Sequence, residues 1–222
     1  MIAVARQTPP IRPRRRGRQE ILAAALDLFA EHGFDGVSMN AIACRAGISK
    51  ANVFHHFGSK EALYLETMQA ACSAFTPVLD GLDETERAYA ERLRLFIRDD
   101  VDQMFSDPDR ARLILREVLE SGPSRGRELA TEVFDDHFAR VVGLFQSGQE
   151  NGVFRRDVPP ALAASMAIAC NVFLFQSQHV LRHLSGVDFV DDPDRYSALV
   201  GRIMLDGLRA SGAADGSGGN NE

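Results

Sequence analysis

From Gln19 to Leu65 the chain reads QEILAAALDLFAEHGFDGVSMNAIACRAGISKANVFHHFGSKEALYL. This stretch predicts three short helices and the start of a fourth. Ser38 suits the N-cap of a helix that runs to about Arg45, and Ser49 suits the N-cap of the next helix. Between them, Gly47 can adopt the left-handed conformation that a tight turn requires. Two helices joined by three residues have the spacing of a helix-turn-helix, which places its second helix in the major groove of DNA.

Polar and apolar residues divide between two faces of this unit. Small or apolar residues fall where the two helices would meet, namely Ala41, Ile42, Ile48 and Val53. Polar residues are left to face outward, namely Asn40, Arg45, Lys50, Asn52 and His55. The second helix therefore offers a polar surface to base edges and phosphates.

The residues from Gly47 to Leu63, GISKANVFHHFGSKEAL, closely resemble the signature of the TetR (tetracycline-repressor-like) family of bacterial transcriptional regulators. The similarity begins with ILAAALDLF from Ile21 to Phe29, includes Gly33-Phe34 and ends at Leu63-Tyr64. It covers roughly a fifth to a quarter of the chain. The resemblance implies an N-terminal three-helix helix-turn-helix domain joined to a larger helical domain that binds a ligand and forms a dimer.

The resemblance also implies which residues contact DNA. Asn52 could pair with adenine and Lys50 with guanine, and Lys60 would hold a phosphate at the first turn of the fourth helix. Phe54 stands where the family usually has tyrosine, so a hydroxyl that often reaches a phosphate is missing. The candidate DNA-binding residues are Ser38, Asn40, Ser49, Lys50, Ala51, Asn52, His55 and Lys60, together with Arg14, Arg15 and Arg16.

Charge is distributed unevenly along the 222 residues. The chain carries a net charge of −6, yet residues 1–60 hold nine basic and four acidic residues, a net +5, which leaves −11 for the remainder. A positive segment that coincides with a helix-turn-helix favours neutralisation of DNA phosphates, whereas the acidic part is repelled by DNA.

Three scattered cysteines, Cys44, Cys72 and Cys170, fit a reducing compartment better than a disulfide framework. The first 18 residues lack the apolar core of a signal peptide, and no later run is expected to approach the ~20 apolar residues of a membrane span. We therefore expect a cytoplasmic protein without a membrane partner.

Almost every segment after Gly17 has helical periodicity and none alternates like a strand, so the chain is predicted to be all-α with about nine helices. Ser59 begins a fourth helix to about Phe75, and a fifth spans about 84–105. Asp107-Pro108 begins a sixth to Glu120, and Ser124 a seventh to about Glu150. Val158-Pro159-Pro160 begins an eighth to about Leu184, and Asp192-Pro193 a ninth to about Ala210.

Four regions follow from these assignments. Residues 1–16, rich in proline and arginine, are predicted to form a flexible basic arm, which either contacts a minor groove or flanking phosphates or is a solvated tail. Residues 17–63 form the helix-turn-helix domain and residues 64–211 the ligand-binding and dimerisation domain. Residues 212–222, at the Gly- and Asn-rich end, are predicted to be disordered.

The eighth helix is small and apolar nearly all round, from Ala161 to Cys170 and again from Val172 to Phe175. Such a helix must be covered on most sides. The same helix of a second subunit is one partner, with Val200, Ile203, Met204, Leu205 and Leu208 of the ninth helix completing the interface. The resemblance implies this homodimer through residues 159–184 and 193–210; the alternative is an ordinary core helix.

Helices five to eight could enclose a small organic effector. Large apolar and a few polar residues are the candidates for its pocket: Phe96, Met104, Phe105, Leu113, Phe134, Phe138, Phe145, Phe173, Gln176 and His179. Core packing is the alternative role for the phenylalanines. His179 and His183 are four residues apart, as in helical metal sites, but no glutamate follows His179 and further ligands are lacking. We therefore expect neither a metal nor a cofactor.

The sequence contains no Gly-rich phosphate loop, nucleophile elbow or Cys/His pair with catalytic context, which argues against an enzyme. The resemblance to the TetR family implies a ligand-responsive transcriptional regulator that binds a palindromic operator in double-stranded DNA as a homodimer, and a repressor rather than an activator is the expectation for that family. Its half-sites would lie about 34–36 Å apart, and a small organic effector would release it. The alternative is an architectural DNA-binding protein, or a regulator without an effector.

Overall fold

The computed structural model describes residues 14–83 and 87–210, and only the backbone of residues 14–16. The α-helices are α1 Arg14–Gly36, α2 Met39–Ala46, α3 Lys50–Phe57, α4 Lys60–Ser73, α5 Thr76–Asp80, α6 Tyr89–Ser106, α7 Pro108–Glu120, α8 Pro123–Leu129, α9 Asp135–Glu150, α10 Pro160–Leu181 and α11 Pro193–Leu208. A 3-10 turn, Gly81–Asp83, follows α5, and a π-helical turn, Ala130–Phe134, joins α8 to α9. The all-α prediction is confirmed, since the described residues otherwise contain only an isolated bridge between Phe154 and Arg209.

Side-chain caps explain where several helices begin. The Ser59 hydroxyl accepts a hydrogen bond from the Ala62 amide at 3.1 Å and so starts α4. Asp107 accepts from the Arg110 amide at 3.2 Å before α7, and Asp192 accepts from the Arg195 amide at 3.0 Å before α11. These carboxylates are followed by prolines in the first turn, where the missing N–H costs nothing.

Other boundaries differ from the predictions. Helix α1 begins at Arg14, so the last three residues of the predicted arm have helical backbone; the rest of the arm lies outside the described residues, as does the predicted tail. A short helix that the sequence did not predict, α5, follows α4, and Pro77 lies in its first turn. Gly122, not Ser124, is the N-cap of α8, because Pro123 supplies the helical φ angle one residue earlier.

The chain divides into two compact units between Ala70 and Ala71, within α4. The first unit has its core between α1, α2, α3 and the start of α4. Its most buried large side chains are Ile21, Phe29, Ile42, Val53, Leu63, Tyr64 and Met68. This boundary lies beyond residue 63, where the sequence suggested it, because α4 continues past the helix-turn-helix core without a break.

The second unit is built around α6, which packs against α10 and α11, while α9 packs against α10. Its main core contains Leu93, Phe96, Ile97, Val101, Leu144, Phe145, Phe154, Ala163, Ala164, Ala167, Leu174, Tyr196 and Met204. The three buried alanines of α10 leave room for close packing of the neighbouring helices.

Helix α10 is long and apolar enough to cross a membrane by length and composition alone. The expectation that no run approaches that length is therefore wrong. The same properties occur in core helices of helical domains, and here one face of α10 belongs to the main core.

Gly148 in α9 lies directly against the buried ring of Phe154. A Cβ atom at Gly148 would be 2.2 Å from Cδ2 and 2.4 Å from Cε2 of that ring. The Phe154 ring is 3% exposed and packs against Phe145 and Tyr89 at centroid distances of 5.8 and 5.7 Å. The ring therefore cannot move aside without disturbing its neighbours.

We expect Gly148→Ala to lower the free energy of unfolding by about 1–3 kcal/mol, because the added methyl group overpacks the core. Gly143→Ala in the same helix is the control, since its Cβ would meet no atom within 4 Å. That variant should be neutral or more stable by up to about 1 kcal/mol, as expected for alanine in a helix. Urea unfolding measures both, and equal stabilities would contradict the close contact.

A buried polar pair joins α6 to α10. The Asn171 side-chain amide donates to Asp100 Oδ2 at 2.7 Å and to the Ile97 carbonyl at 3.3 Å. Asn171 is fully buried and Asp100 is 7% exposed. Burial raises the pKa of Asp100 from its ordinary 3.8 to about 6, against the opposing effect of the Asn171 hydrogen bond.

This raised pKa predicts a pH-dependent stability. The folded chain binds the Asp100 proton more tightly than the unfolded chain. The stabilisation of the fold by this proton is therefore fully present below pH 3.8 and is lost as the pH rises through about 6. The free energy of unfolding of the wild type should fall by roughly 3 kcal/mol over this window. This fall should be absent in Asp100→Asn. Urea unfolding at several pH values would test it, with the exposed Asp136→Asn as control. Parallel pH profiles for wild type and Asp100→Asn would disprove the assignment.

Candidate nucleic-acid interface

Helices α2 and α3 form the predicted helix-turn-helix. The Ser38 hydroxyl accepts from the Ala41 amide at 3.1 Å, and the Ser49 hydroxyl accepts from the Asn52 amide at 3.2 Å. Gly47 ends α2 in the left-handed region, with φ 67° and ψ 31°. The Ile48 amide then donates back to the Ala43 carbonyl at 3.0 Å, which closes the turn.

The burial pattern separates the packed face of this unit from the solvent face. Met39, Ile42, Ala43, Val53 and Phe57 are buried. The predicted DNA-contacting residues of the unit are all exposed: Ser38, Asn40, Ser49, Lys50, Ala51, Asn52 and His55. Ala41, which the sequence placed between the two helices, is exposed as well, so that placement is wrong.

The aromatic side chain of Phe54 lies on the exposed side of α3. It is 41% exposed, and the Lys50 ammonium lies 5.8 Å from the centroid of its ring. The ring therefore lies beside one cation of the solvent face. A tyrosine hydroxyl at this position would extend from the same ring.

Lys60 begins α4 and is half-buried. Its ammonium lies 4.2 Å from the centroid of the Phe34 ring. The α4 N-terminus beside it carries backbone amides that the helix does not use internally, as every helix start does. A cation and a helix start side by side form an arrangement that can bind a phosphate.

Arg18 is a cation of this unit that the sequence did not single out. Its guanidinium forms an ion pair with Glu66 of α4 and lies 5.2 Å from the centroid of the Phe57 ring. The partners are 48 residues apart, so no local pattern predicts the contact. Because its charge is paired with a carboxylate, Arg18 ties α1 to α4. For Arg14, Arg15 and Arg16 the described structure gives the helical backbone of α1.

Several of the residues predicted to line an effector pocket lie in or against the cores of the second unit. Phe96 and Phe145 belong to the main core, against which Phe105 and Phe138 pack, and Met104 lies in a smaller cluster that Phe105 also contacts. Leu113 is fully buried, and Phe134 and Phe138 are half-buried.

Three further predicted pocket residues, Phe173, Gln176 and His179, are exposed, because they fall on the side of α10 opposite its buried alanines. Their role in lining a pocket stays a prediction. His183 also lies beyond the end of α10 at Leu181, so it does not share a helix face with His179.

One open groove of the second unit lies elsewhere. It has a volume of about 450 Å³ and runs between α6 and α11. Its walls are formed by Ala90, Glu91, Arg94, Ala198, Gly201, Arg202, Leu205, Asp206 and Arg209. The sequence prediction placed none of these residues in a pocket and named Leu205 only for the dimer interface, because small residues and arginines at helix contacts carry no pattern that distinguishes a groove from an ordinary surface.

Comparison with known proteins places both units in one family. Residues 21–67 match the model for bacterial regulatory proteins of the tetR family, and residues 90–200 match the model for the tetracyclin repressor-like C-terminal domain. The fold is also similar to that of the fatty acid degradation regulator FadR from Bacillus halodurans. The TM-score is 0.69 at 20% identity, over 91% of this chain and 100% of that one.

Two sequence relatives are regulators. The chain is 31% identical over 135 residues to the HTH-type transcriptional regulator RutR of Escherichia coli strain K12, which covers 60% of this chain and 63% of RutR. The chain thus matches less than two thirds of the length of that relative. It is 30% identical over 150 residues to the HTH-type transcriptional repressor AcnR of Corynebacterium glutamicum, which covers 64% of this chain and 71% of AcnR. Because the two domain models match in order along the chain, and the helix-turn-helix has the geometry described above, this protein belongs to the tetR family of bacterial regulatory proteins.

Proposed function

We propose that this chain is a ligand-responsive transcriptional regulator, a repressor, which binds a palindromic operator as a homodimer in the cytoplasm and is released by a small organic effector. The observation that carries the proposal is the capped α2–α3 unit, whose solvent face holds seven exposed candidate contact residues. Family membership argues for a regulator rather than an enzyme, and AcnR is by name a repressor.

The roles within the DNA interface follow from chemistry. Lys50 and Asn52, exposed on α3, would read base edges in the major groove. Ser38, Asn40, Ser49, Ala51 and His55 would contact the backbone and the groove walls around them, and Lys60 would bind a phosphate. Arg14, Arg15 and Arg16 would add positive charge beside this surface.

The homodimer is supported by an apolar face that lies open on α10 and α11. Its members are Leu162, Met166, Phe173, Val180 and Ile203, each of them 52–71% exposed. On α10 they recur at intervals of four and seven residues, which places them along one side of the helix. Met204 and Leu208 of the sequence-derived interface are buried within the subunit, and Val200 and Leu205 are half-buried. Ile203 is therefore the α11 residue best placed to meet a partner.

The effector would act on the second unit, which matches the C-terminal domain of the family over residues 90–200. A ligand can shift an equilibrium between a DNA-binding and a released form only by binding them unequally. Phe96, Met104, Phe105, Leu113, Phe134, Phe138 and Phe145 are candidates to surround it, because they lie in or against the interior of this unit.

A DNase footprint on the DNA upstream of the protein's own coding region tests this function. A regulator should protect a short palindrome, and at least one member of a panel of partly apolar organic compounds should remove the protection. An architectural protein should instead protect DNA broadly and remain bound with every compound. Broad protection that no compound changes would refute the proposal in favour of this second class.

A further inference from the structure

The Lys60 ammonium lies against an aromatic cluster of the first unit. The Phe34 ring, 4.2 Å from that ammonium, makes edge contacts with Tyr64 at a centroid distance of 5.0 Å and an interplanar angle of 76°. Phe29 lies 6.2 Å from Phe34 and 4.7 Å from Tyr64. Both Phe29 and Tyr64 are fully buried, so the ring on which Lys60 rests is fixed by the core.

Gly33 explains how Phe34 reaches this position. Its backbone has φ 70° and ψ 177°, which interrupts the helical conformation near the end of α1. A positive φ of this kind is easily adopted by glycine and is strained for other residues. The interruption redirects the chain, so that the ring of Phe34 meets Tyr64 and the start of α4 instead of following the surface of α1.

An aromatic ring holds a cation in a way that suits phosphate binding. A carboxylate partner would neutralise the ammonium, as Glu66 does for Arg18. The face of a phenyl ring attracts the cation through its quadrupole but leaves the full charge in place. Within the described residues Lys60 forms no ion pair, so its charge stays available for a DNA phosphate.

We propose that Phe34 is a positioning residue for DNA binding, whose ring orients the Lys60 ammonium toward a phosphate before DNA arrives. The inference rests on the proposed function and adds to it a residue outside the helix-turn-helix that sets affinity without contacting DNA. Ordering a long side chain on binding weakens affinity by roughly 2- to 10-fold, and a side chain that is already ordered avoids that loss.

A double-mutant cycle in the full chain tests the proposal on a short mixed-sequence duplex, because a phosphate contact does not depend on sequence. Phe34→Leu keeps an apolar side chain without the π face, and Phe34→Tyr keeps the ring. We expect Phe34→Leu to weaken binding about 2- to 10-fold, Phe34→Tyr to bind like the wild type, and Phe34→Leu to have no further effect in a Lys60→Ala background. An equal loss with and without Lys60, or no loss at all, would overturn the proposal.

A measurement on the wild type keeps the test valid if Phe34→Leu does not fold. The ring current of Phe34 should shift the Lys60 Hε resonances upfield, and titration with the duplex should change them. Unshifted Lys60 resonances would also overturn the proposal. If the wild type binds no duplex, the DNA-binding function itself fails; if it binds without coupling between Phe34 and Lys60, only the positioning role fails.

Discussion

Replacing Phe173 by glutamate should convert the proposed dimer into a monomer and abolish binding to the operator. Phe173 is 64% exposed near the middle of α10, within the open apolar face. In a twofold-symmetric interface every substitution occurs twice. Two phenyl groups would lose their burial, worth about 1.5–3 kcal/mol each, and two carboxylates would be desolvated without partners. The dimer dissociation constant should therefore rise roughly a thousandfold.

Val118→Glu is a matched control for this variant. Val118 is also apolar and 56% exposed, but it lies on α7, outside the α10–α11 face. Sedimentation equilibrium measures the oligomeric state, and the footprint described above measures operator binding. Val118→Glu should remain dimeric and bind DNA. A dimeric Phe173→Glu variant would show that the subunits associate through another surface.

The DNA-binding unit could be predicted closely because its determinants are local. Ser38, Ser49 and Ser59 accept hydrogen bonds from amides three residues ahead, and Gly47 closes its turn within five residues. Such interactions follow from the identity and spacing of neighbouring residues. The contact between Lys60 and Phe34 spans a longer separation, and nothing in either local sequence indicates it.

The second unit was harder to predict because its determinants are distant or ambiguous. A helix such as α10, apolar on nearly all sides, does not reveal which side faces the core. Nothing in its sequence therefore indicates that Phe173, Gln176 and His179 are exposed. Asn171 and Asp100 form their hydrogen bond across 71 residues. The π-helical turn after α8 also breaks the 3.6-residue period on which helix prediction depends.

Lys60→Ala should weaken binding to every DNA sequence alike, by roughly 10-fold or more, because it removes one charge-assisted contact to phosphate. The slope of log affinity against log salt concentration should fall by about 1, the value for one neutralised phosphate. Salt titrations of wild type and variant on the operator and on mixed-sequence DNA provide the measurement. An unchanged slope would mean that Lys60 does not bind a phosphate.

The Asn52→Ala variant distinguishes a contact that reads a base from a contact that binds a phosphate. Asn52 is exposed on α3, where its amide can form paired hydrogen bonds with adenine. Its loss should relax the base preference at one operator position, at a cost of about 1–3 kcal/mol on the preferred sequence, and should leave the salt slope unchanged. Lys60→Ala should lower the salt slope and leave the base preference unchanged. If both variants changed the slope and neither changed the preference, the assignment of α3 as the helix that reads the bases would have to be abandoned.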